Sequence, residues 1–376
     1  MNNSLSPTYQ KLIGRFWVLW YSASNSYSIV DTDFKYLIDT YLNSDSPLEF
    51  NTVLQNEDPD ANGNLIAARI QDYLESCNVD VLLDNVNQIP FNSAFQNLSY
   101  TYKIGHKVIV VNYDSELVQK TVHPAIAHYI TSEQEPIDST FDIYLDNDQL
   151  FLFKDQTLLT SAPKLEYHKI QGKFIMHLLC EIHQKTESDW IGTFHGSTIT
   201  DGHSAILCIG ESGKGKSTLC ALLTAKGFTL LADDVSPMDG VTHHIHYNPA
   251  AISIKEGAFK ILERDIPNFE ALPLVNFNKA KGTLKYLPCT PPEQSHYPCF
   301  AALLVNYKAN AETSLERVSV KRMLETLIPD SWLSPNPAYA KAFLNWLAQI
   351  EIYEITYSNI DLAAHAISKL FKSQLK

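Results

Sequence analysis

Eight consecutive residues, Gly210-Glu211-Ser212-Gly213-Lys214-Gly215-Lys216-Ser217, carry the pattern G-x-x-x-x-G-K-S, and Thr218 follows them. Glycine at the two ends of such a loop lets the backbone wrap until its N–H groups point inward at phosphate oxygens. In that arrangement Lys216 reaches the β and γ phosphates, and the Ser217 hydroxyl coordinates Mg²⁺. The flanks match: Ser204–Ile209 is an apolar, strand-like run, and the residues from Lys216 onward predict a helix whose positive end adds to the anion site. The chemistry expected here is the binding of ATP with Mg²⁺, through residues 210–218.

A second group follows soon after. The helix is expected to end at Lys226-Gly227, a basic last turn and a glycine cap. Phe228-Thr-Leu-Leu-Ala-Asp233-Asp234-Val235 then reads as an apolar strand ending in two carboxylates. Neighbouring side chains on a strand point to opposite faces, so the two aspartates should differ in role: one toward the metal, one toward the site of transfer. Upstream, His195-Gly196 lies within Trp190–Ile199, which reads as a short hairpin preceding the loop strand.

Taken together, His-Gly, then G-E-S-G-x-G-K-S, then Lys-Gly-Phe-x-Leu-Leu-Ala-Asp-Asp-Val resembles the HPr kinase/phosphorylase superfamily. It resembles most narrowly the HPr-kinase-like enzymes found beside PqqD-like domains in peptide modification. The strong match covers residues 190–240. A weaker one runs through Ile252-Ser-Ile-Lys255-Glu256-Gly257, Tyr286-Leu287-Pro288 and a closing strand and helix at Ile350–Phe371. The resemblance implies an α/β fold with an HPr-kinase-like, PEP-carboxykinase-like P-loop core. It implies Asp233 as general base, His195 as the group orienting that carboxylate, and Lys216 on the phosphates. Ser217 and Asp234 would hold Mg²⁺, with Glu256 as a further carboxylate on the metal side, while Lys255 instead contacts phosphate. No counterpart of the loop associated with phosphorolysis in the true HPr enzymes is evident. The implied activity is phosphorylation of a Ser or Thr hydroxyl, on a precursor peptide. A small-molecule hydroxyl kinase and an ATP-switched, non-catalytic scaffold remain as alternatives.

These residues need elements to hold them. The first ninety residues read as a separate unit. Phe16–Tyr21 and Tyr27–Val30 form a hairpin, and Thr32 caps a helix with the stripe Phe34, Leu37, Ile38, Tyr41 and Leu42. Ser46-Pro47 opens a second helix with Pro at its first position. A third helix follows Asp58-Pro59-Asp60 with the stripe Leu65, Ile66, Ile70, Tyr73 and Leu74. This order of elements is winged-helix-like and resembles the PqqD-like modules that hold a precursor peptide. The expected division is a PqqD-like domain over 1–90 and a kinase domain over 91–376. Within the latter, Lys107–Val111, Phe141–Leu145 and Leu150–Phe153 read as strands, the last two joined at Asp146-Asn147-Asp148. An amphipathic helix is expected near 167–184.

Other groups carry less. His244 and His246 share a strand face after Asp239-Gly240, but a metal site wants further ligands, and the Asp-Gly reads as a hairpin tip. Lys279, Lys281 and Lys285 read as a solvated basic loop. The stripe Ala338, Tyr339, Phe343, Leu344, Trp346 and Leu347 reads as core packing.

Composition closes off several classes. The 376 residues are 45% hydrophobic and 19% charged, ordinary for a globular protein with a sizeable core. With 29 Lys+Arg against 42 Asp+Glu the net charge is −13, which argues against nucleic acid and anionic membranes as partners. No stretch is long and apolar enough to span a bilayer, and Met1-Asn2-Asn3-Ser4 lacks a signal-peptide pattern. Six scattered cysteines without Cys-x-x-Cys suit a reduced, cytoplasmic protein. The resemblance leaves the oligomeric state open, a homo-oligomer included.

Overall fold

Asp31 and Ser46 set the first two helices. Asp31 accepts from the Phe34 N–H and starts Thr32–Asn43, one residue earlier than the cap expected at Thr32. Ser46 accepts from the Glu49 N–H and starts Pro47–Glu57, with Pro47 at the first position as expected. The third helix, Gly63–Cys77, buries Ala67, Ile70 and Leu74. Leu65, expected in its stripe, is instead half exposed, because the buried face runs through Gly63, Ala67, Ile70 and Leu74. The computed structural model describes residues 3–80, 89–278 and 282–374, so Lys279 and Lys281 lie outside the described residues.

Three antiparallel strands, Tyr9–Ile13, Phe16–Tyr21 and Ser26–Asp31, complete the N-terminal unit. The first of them was not expected. The middle strand serves two cores, as its alternation requires. Leu19 and Tyr21 pack with the three helices, while Val18 and Trp20 face the core of the main body. There Tyr27 meets Phe343 edge-on at 5.4 Å, and Lys11 Nζ donates to Asn345 Oδ1 at 2.8 Å. The sheet is therefore covered on both faces.

Residues 98–183 form a five-stranded sheet in chain order, with the helix Tyr167–His183 laid on it. Ile170, Phe174 and Leu178 of that helix share a core with Tyr102, Ile109 and Phe141. The three expected strands lie within it, joined where expected at residues 146–149. This body has its own sheet and core, a subdivision not anticipated within 91–376.

The largest sheet has ten strands, around the long central strand His296–Tyr307. One side of that strand pairs in parallel with Ala205–Ile209 and the other with Glu351–Tyr357. Its N-terminal half also pairs antiparallel with His244–His246. Trp190–His195 and Ser197–Thr200 do not form the expected hairpin with each other. Ser197–Thr200 instead pairs with the loop strand Ala205–Ile209, and Trp190–His195 with Val235–Asp239. A small third sheet, Ile252–Lys255, Gly282–Leu287 and Val275–Asn278, lies beside the core. Lys285 is buried there, donating to the carbonyls of Phe269 and Glu270, and is not part of a solvated loop. In the tail helix Pro337–Leu347, Ala340 takes the buried place expected of Ala338. Among the described residues no helix is long and apolar enough to cross a membrane, and all six cysteines are free.

The histidines after Asp239 join two more from distant chain segments. The His246 ring stacks on His296 at 4.7 Å and meets His183 edge-on at 4.8 Å, while His244 Nδ1 lies 2.8 Å from His296 Nδ1. The ring nitrogens meet in pairs, His244 with His296 and His246 with His183, and no group of three or more His, Cys, Asp or Glu among the described residues is placed to hold a metal. Asp239 caps the turn, accepting from the N–H groups of Val241 and Thr242, and pairs with Lys185.

Burial and the neighbouring His183 and His296 lower the His246 pKa to about 3. Its folded value lies below its unfolded one, so the unfolded chain takes up the proton first, and stability falls as pH drops below about 6.5. Each such histidine costs about 1.4 kcal/mol per pH unit in that window. His246→Gln should therefore lose less stability than the wild type between pH 7 and pH 5. Urea unfolding at the two pH values reads this directly, and an equal loss in both proteins would contradict it.

Candidate phosphoryl-transfer site

The strand Ala205–Ile209 is wholly buried and delivers the chain to Gly210. A Cβ at Gly210 would lie 2.9 Å from the Val305 carbonyl, so the loop can leave the sheet this closely only with glycine. Gly215 has φ +92°, and a Cβ there would meet Tyr307 Cβ at 3.1 Å and the Tyr357 hydroxyl at 3.3 Å. The loop is pinned to the neighbouring strand by the Tyr307 N–H, which donates to the Lys214 carbonyl at 3.0 Å. Glu211, Ser212, Gly213 and Lys214 are exposed along its rim.

The helix Lys216–Thr224 starts at Gly215 with no side chain capping its first N–H groups. Those donors point into the loop, as an anion site needs. Lys216 Nζ donates to the Gly210 carbonyl at 2.5 Å, folding its ammonium back across the loop. Burial lowers the Lys216 pKa, while Asp234, Asp233 and Asp330 pull it the other way. Thr218, next in the helix, is half-buried.

Asp233 and Asp234 sit at a break in an antiparallel ladder. Thr198 pairs with Ala232 and His195 with Val235, and between them the regular ladder lapses, leaving the Gly196 N–H donating to the Asp234 carbonyl at 3.3 Å. Asp234 adopts a left-handed backbone, φ +64°, which an aspartate tolerates better than most residues. The two carboxylates consequently diverge. Asp233 is 2% exposed and Asp234 has a side chain 67% exposed.

Their partners differ from the expected ones. Ser217 Oγ donates to Asp233 Oδ1 at 3.0 Å, where the expectation paired Ser217 with Asp234. Ser197 Oγ donates to the same oxygen at 2.5 Å, and the Ser253 N–H reaches Asp233 Oδ2 at 3.3 Å. His195 Nδ1 lies 3.3 Å from Asp234 Oδ1, not against Asp233. The physical reason is register: His195 is paired with Val235, so its ring meets the residue that bulges out just before it. Burial, then the charge of Asp234, pushes the Asp233 carboxyl up to about 6.

The small third sheet forms one wall. Lys255 Nζ lies 3.3 Å from Ser212 Oγ on the loop rim, a position from which its ammonium can meet phosphate. Glu256 is exposed at the start of a short 3-10 turn and is not gathered with Asp233 and Asp234. Sequence reading missed Ser197, Ser253 and Asp330. Asp330 ends the turn Ile328–Asp330, whose next residue, Ser331, accepts the His195 N–H. None of the three carries a local signal, since each reaches the site from a different strand or turn.

The arrangement sets a loop fit to cradle phosphate next to a buried carboxylate bonded to the loop serine, and the following residue is an exposed carboxylate beside an imidazole. No protein-family model matches the chain, and no curated protein matches it. Among solved structures the chain is similar to the Hpr(Ser) kinase/phosphatase from Coxiella burnetii, at 12% identity and a TM-score of 0.22, covering 48% of this chain and 95% of that one. A likeness of that degree says nothing about activity, so function has to be read from the site itself.

Proposed function

We propose that the chain is a phosphotransferase that uses ATP and Mg²⁺ to phosphorylate a hydroxyl group. The observation that carries this reading is the division between the two carboxylates. A nucleotide-binding switch needs only the buried one, which serves the loop. The second, exposed and set beside His195, makes no hydrogen bond to the loop and suits a hydroxyl acceptor.

Oxygen donors suit Mg²⁺, and Ser217 Oγ with Asp233 would supply two of them beside the loop, the rest coming from phosphates and water. When bound, Mg²⁺ neutralises charge on the β and γ phosphates. The loop N–H groups and Lys216 position those phosphates, with Lys255 as a second cation on the rim. Asp234 receives the proton of the attacking hydroxyl as its oxygen bonds to the γ phosphorus, and ADP leaves with the bridging oxygen. His195 holds the Asp234 carboxylate in place. Relative to the roles implied by the resemblance, the tasks of Asp233 and Asp234 are exchanged, because their observed partners are.

For the acceptor we propose a Ser or Thr of a peptide held by the N-terminal unit, which would raise its effective concentration at the site. The support is the order of elements in that unit and its attachment to the main body. Deleting it would be a poor test, since its sheet covers Phe343 and shares the core of Trp346.

Lys216→Ala removes a charge-assisted contact to phosphate and should weaken ATP binding by about ten- to a hundredfold. Calorimetric titration with Mg-ATP measures it. Unchanged affinity would remove the phosphate-loop reading.

A further inference from the structure

The ten-stranded sheet ends in a strand of two residues, Trp332–Leu333, paired antiparallel with Trp190–His195. Trp332 stands opposite Thr193, and Leu333 opposite Gly192. The approach is close: a Cβ at Gly192 would lie 2.6 Å from the Trp332 carbonyl, so only glycine admits it. Opposed residues share a face of a sheet, and so do residues two apart on one strand. Phe194 and Leu333 accordingly turn to the buried core that they share, and Thr193, His195 and Trp332 fall on the other face. On that face Val235 packs with Met176, Leu179 and Cys180 of the helix Tyr167–His183. Toward the sheet edge the cover lapses: Thr193 and His195 are half-buried and Trp332 is 37% exposed.

Two contacts tie this edge to its surroundings. Ser331 Oγ accepts from the His195 N–H at 3.0 Å. Asn25 Nδ2, from the hairpin turn of the N-terminal unit, donates to the Leu333 carbonyl at 2.8 Å. Trp332 therefore lies between the imidazole beside Asp234 and the unit proposed to hold the peptide. Two residues of an extended chain span about 6.7 Å, the same step as from His195 to Thr193. A peptide extended along this strand with its hydroxyl at Asp234 sets the residue two positions away over Thr193 and Trp332. An indole face open to water favours an apolar side chain there, since their contact removes both surfaces from water.

We infer that Trp332 selects the acceptor sequence, receiving an apolar side chain two residues from the phosphorylated Ser or Thr, an inference that rests on the phosphotransferase reading above.

The test uses the full chain, Mg-ATP and a peptide that the wild type phosphorylates, remade with Leu, Lys or Gly two positions before or after the modified residue. With Leu at one of these positions, the wild type should show a KM about tenfold below that with Gly. Trp332→Ala should erase the preference by raising the KM of the Leu peptide, and Trp332→Phe should restore most of it. Mg-ATP affinity, titrated by calorimetry, should stay as in the wild type in both variants, which shows that they are folded. Equal KM values for Leu and Gly in the wild type, or a Leu preference that survives Trp332→Ala, overturns the inference. So does a loss of kcat at unchanged KM, because Trp332 would then act through Ser331 on His195. A preference for Lys over Leu overturns the apolar class. If the wild type phosphorylates no peptide, the reading of a peptide acceptor fails first and the inference falls with it.

Discussion

Asp234→Asn should slow phosphoryl transfer by about 10²- to 10⁴-fold while leaving Mg-ATP affinity close to that of the wild type. The amide keeps the size and shape of the side chain but cannot take a proton from the attacking hydroxyl. Binding should survive because the Asp234 side chain makes no hydrogen bond to the loop or to Ser217 and acts on Lys216 only through its charge; its contact is His195, at 3.3 Å. His195→Ala should have a smaller effect in the same direction, since it removes only the group that orients the carboxylate. Single-turnover transfer, measured beside nucleotide titration, separates the two quantities. A variant that loses nucleotide binding along with transfer would place Asp234 on the phosphates and reverse the assignment.

Asp233→Asn should also reduce transfer by at least about 10²-fold, but by another route. Here the Mg²⁺ dependence of nucleotide binding is lost. The amide oxygen can still accept from Ser197 and Ser217, so the ladder break and the loop helix remain in place. What disappears is the negative charge beside the Ser217 hydroxyl. In the wild type Mg²⁺ should tighten ATP binding, and in the variant it should not.

The same carboxyl predicts a pH effect. Its value near 6 means that protons compete with the cation, so Mg²⁺-dependent tightening should fade as pH drops through 6. Folding responds with the opposite sign to that of His246. A carboxyl with its folded value raised above the unfolded one costs stability as pH rises from about 4 to 6, and that cost is absent in Asp233→Asn. Titrations of ATP with and without Mg²⁺ at pH 7.5 and pH 5.5 check the binding effect. Equal Mg²⁺ dependence in Asp233→Asn and the wild type would remove Asp233 from the cation.

The loop was legible in the sequence because its requirements are local. Gly210 and Gly215 are where the backbone comes closest to Val305, Tyr307 and Tyr357, and the spacing of the two glycines records this. The first two N-terminal helices were legible for the same reason, through the apolar stripe after Thr32 and through Ser46-Pro47, although the cap of the first is Asp31 and not Thr32. The aspartate pair stood out in the sequence as a candidate, but not which partners each aspartate has. Their partners follow from the register between two strands far apart in the chain, and from a ladder break that no single segment encodes. Ser253 reaches Asp233 from the third sheet, and Asp330 acts on Lys216 from the turn after a later helix. The separate five-stranded body was hidden because its strands look like any others until their pairing closes a core of their own.

Transfer to a hydroxyl is read by intact-mass analysis of hydroxyl-bearing candidate peptides. The peptides, those encoded beside this gene first, are incubated with the full chain, ATP and Mg²⁺. A gain of one phosphate is expected with the wild type and no gain with Asp234→Asn, although that variant still binds nucleotide. Equal phosphorylation by the wild type and Asp234→Asn would contradict it.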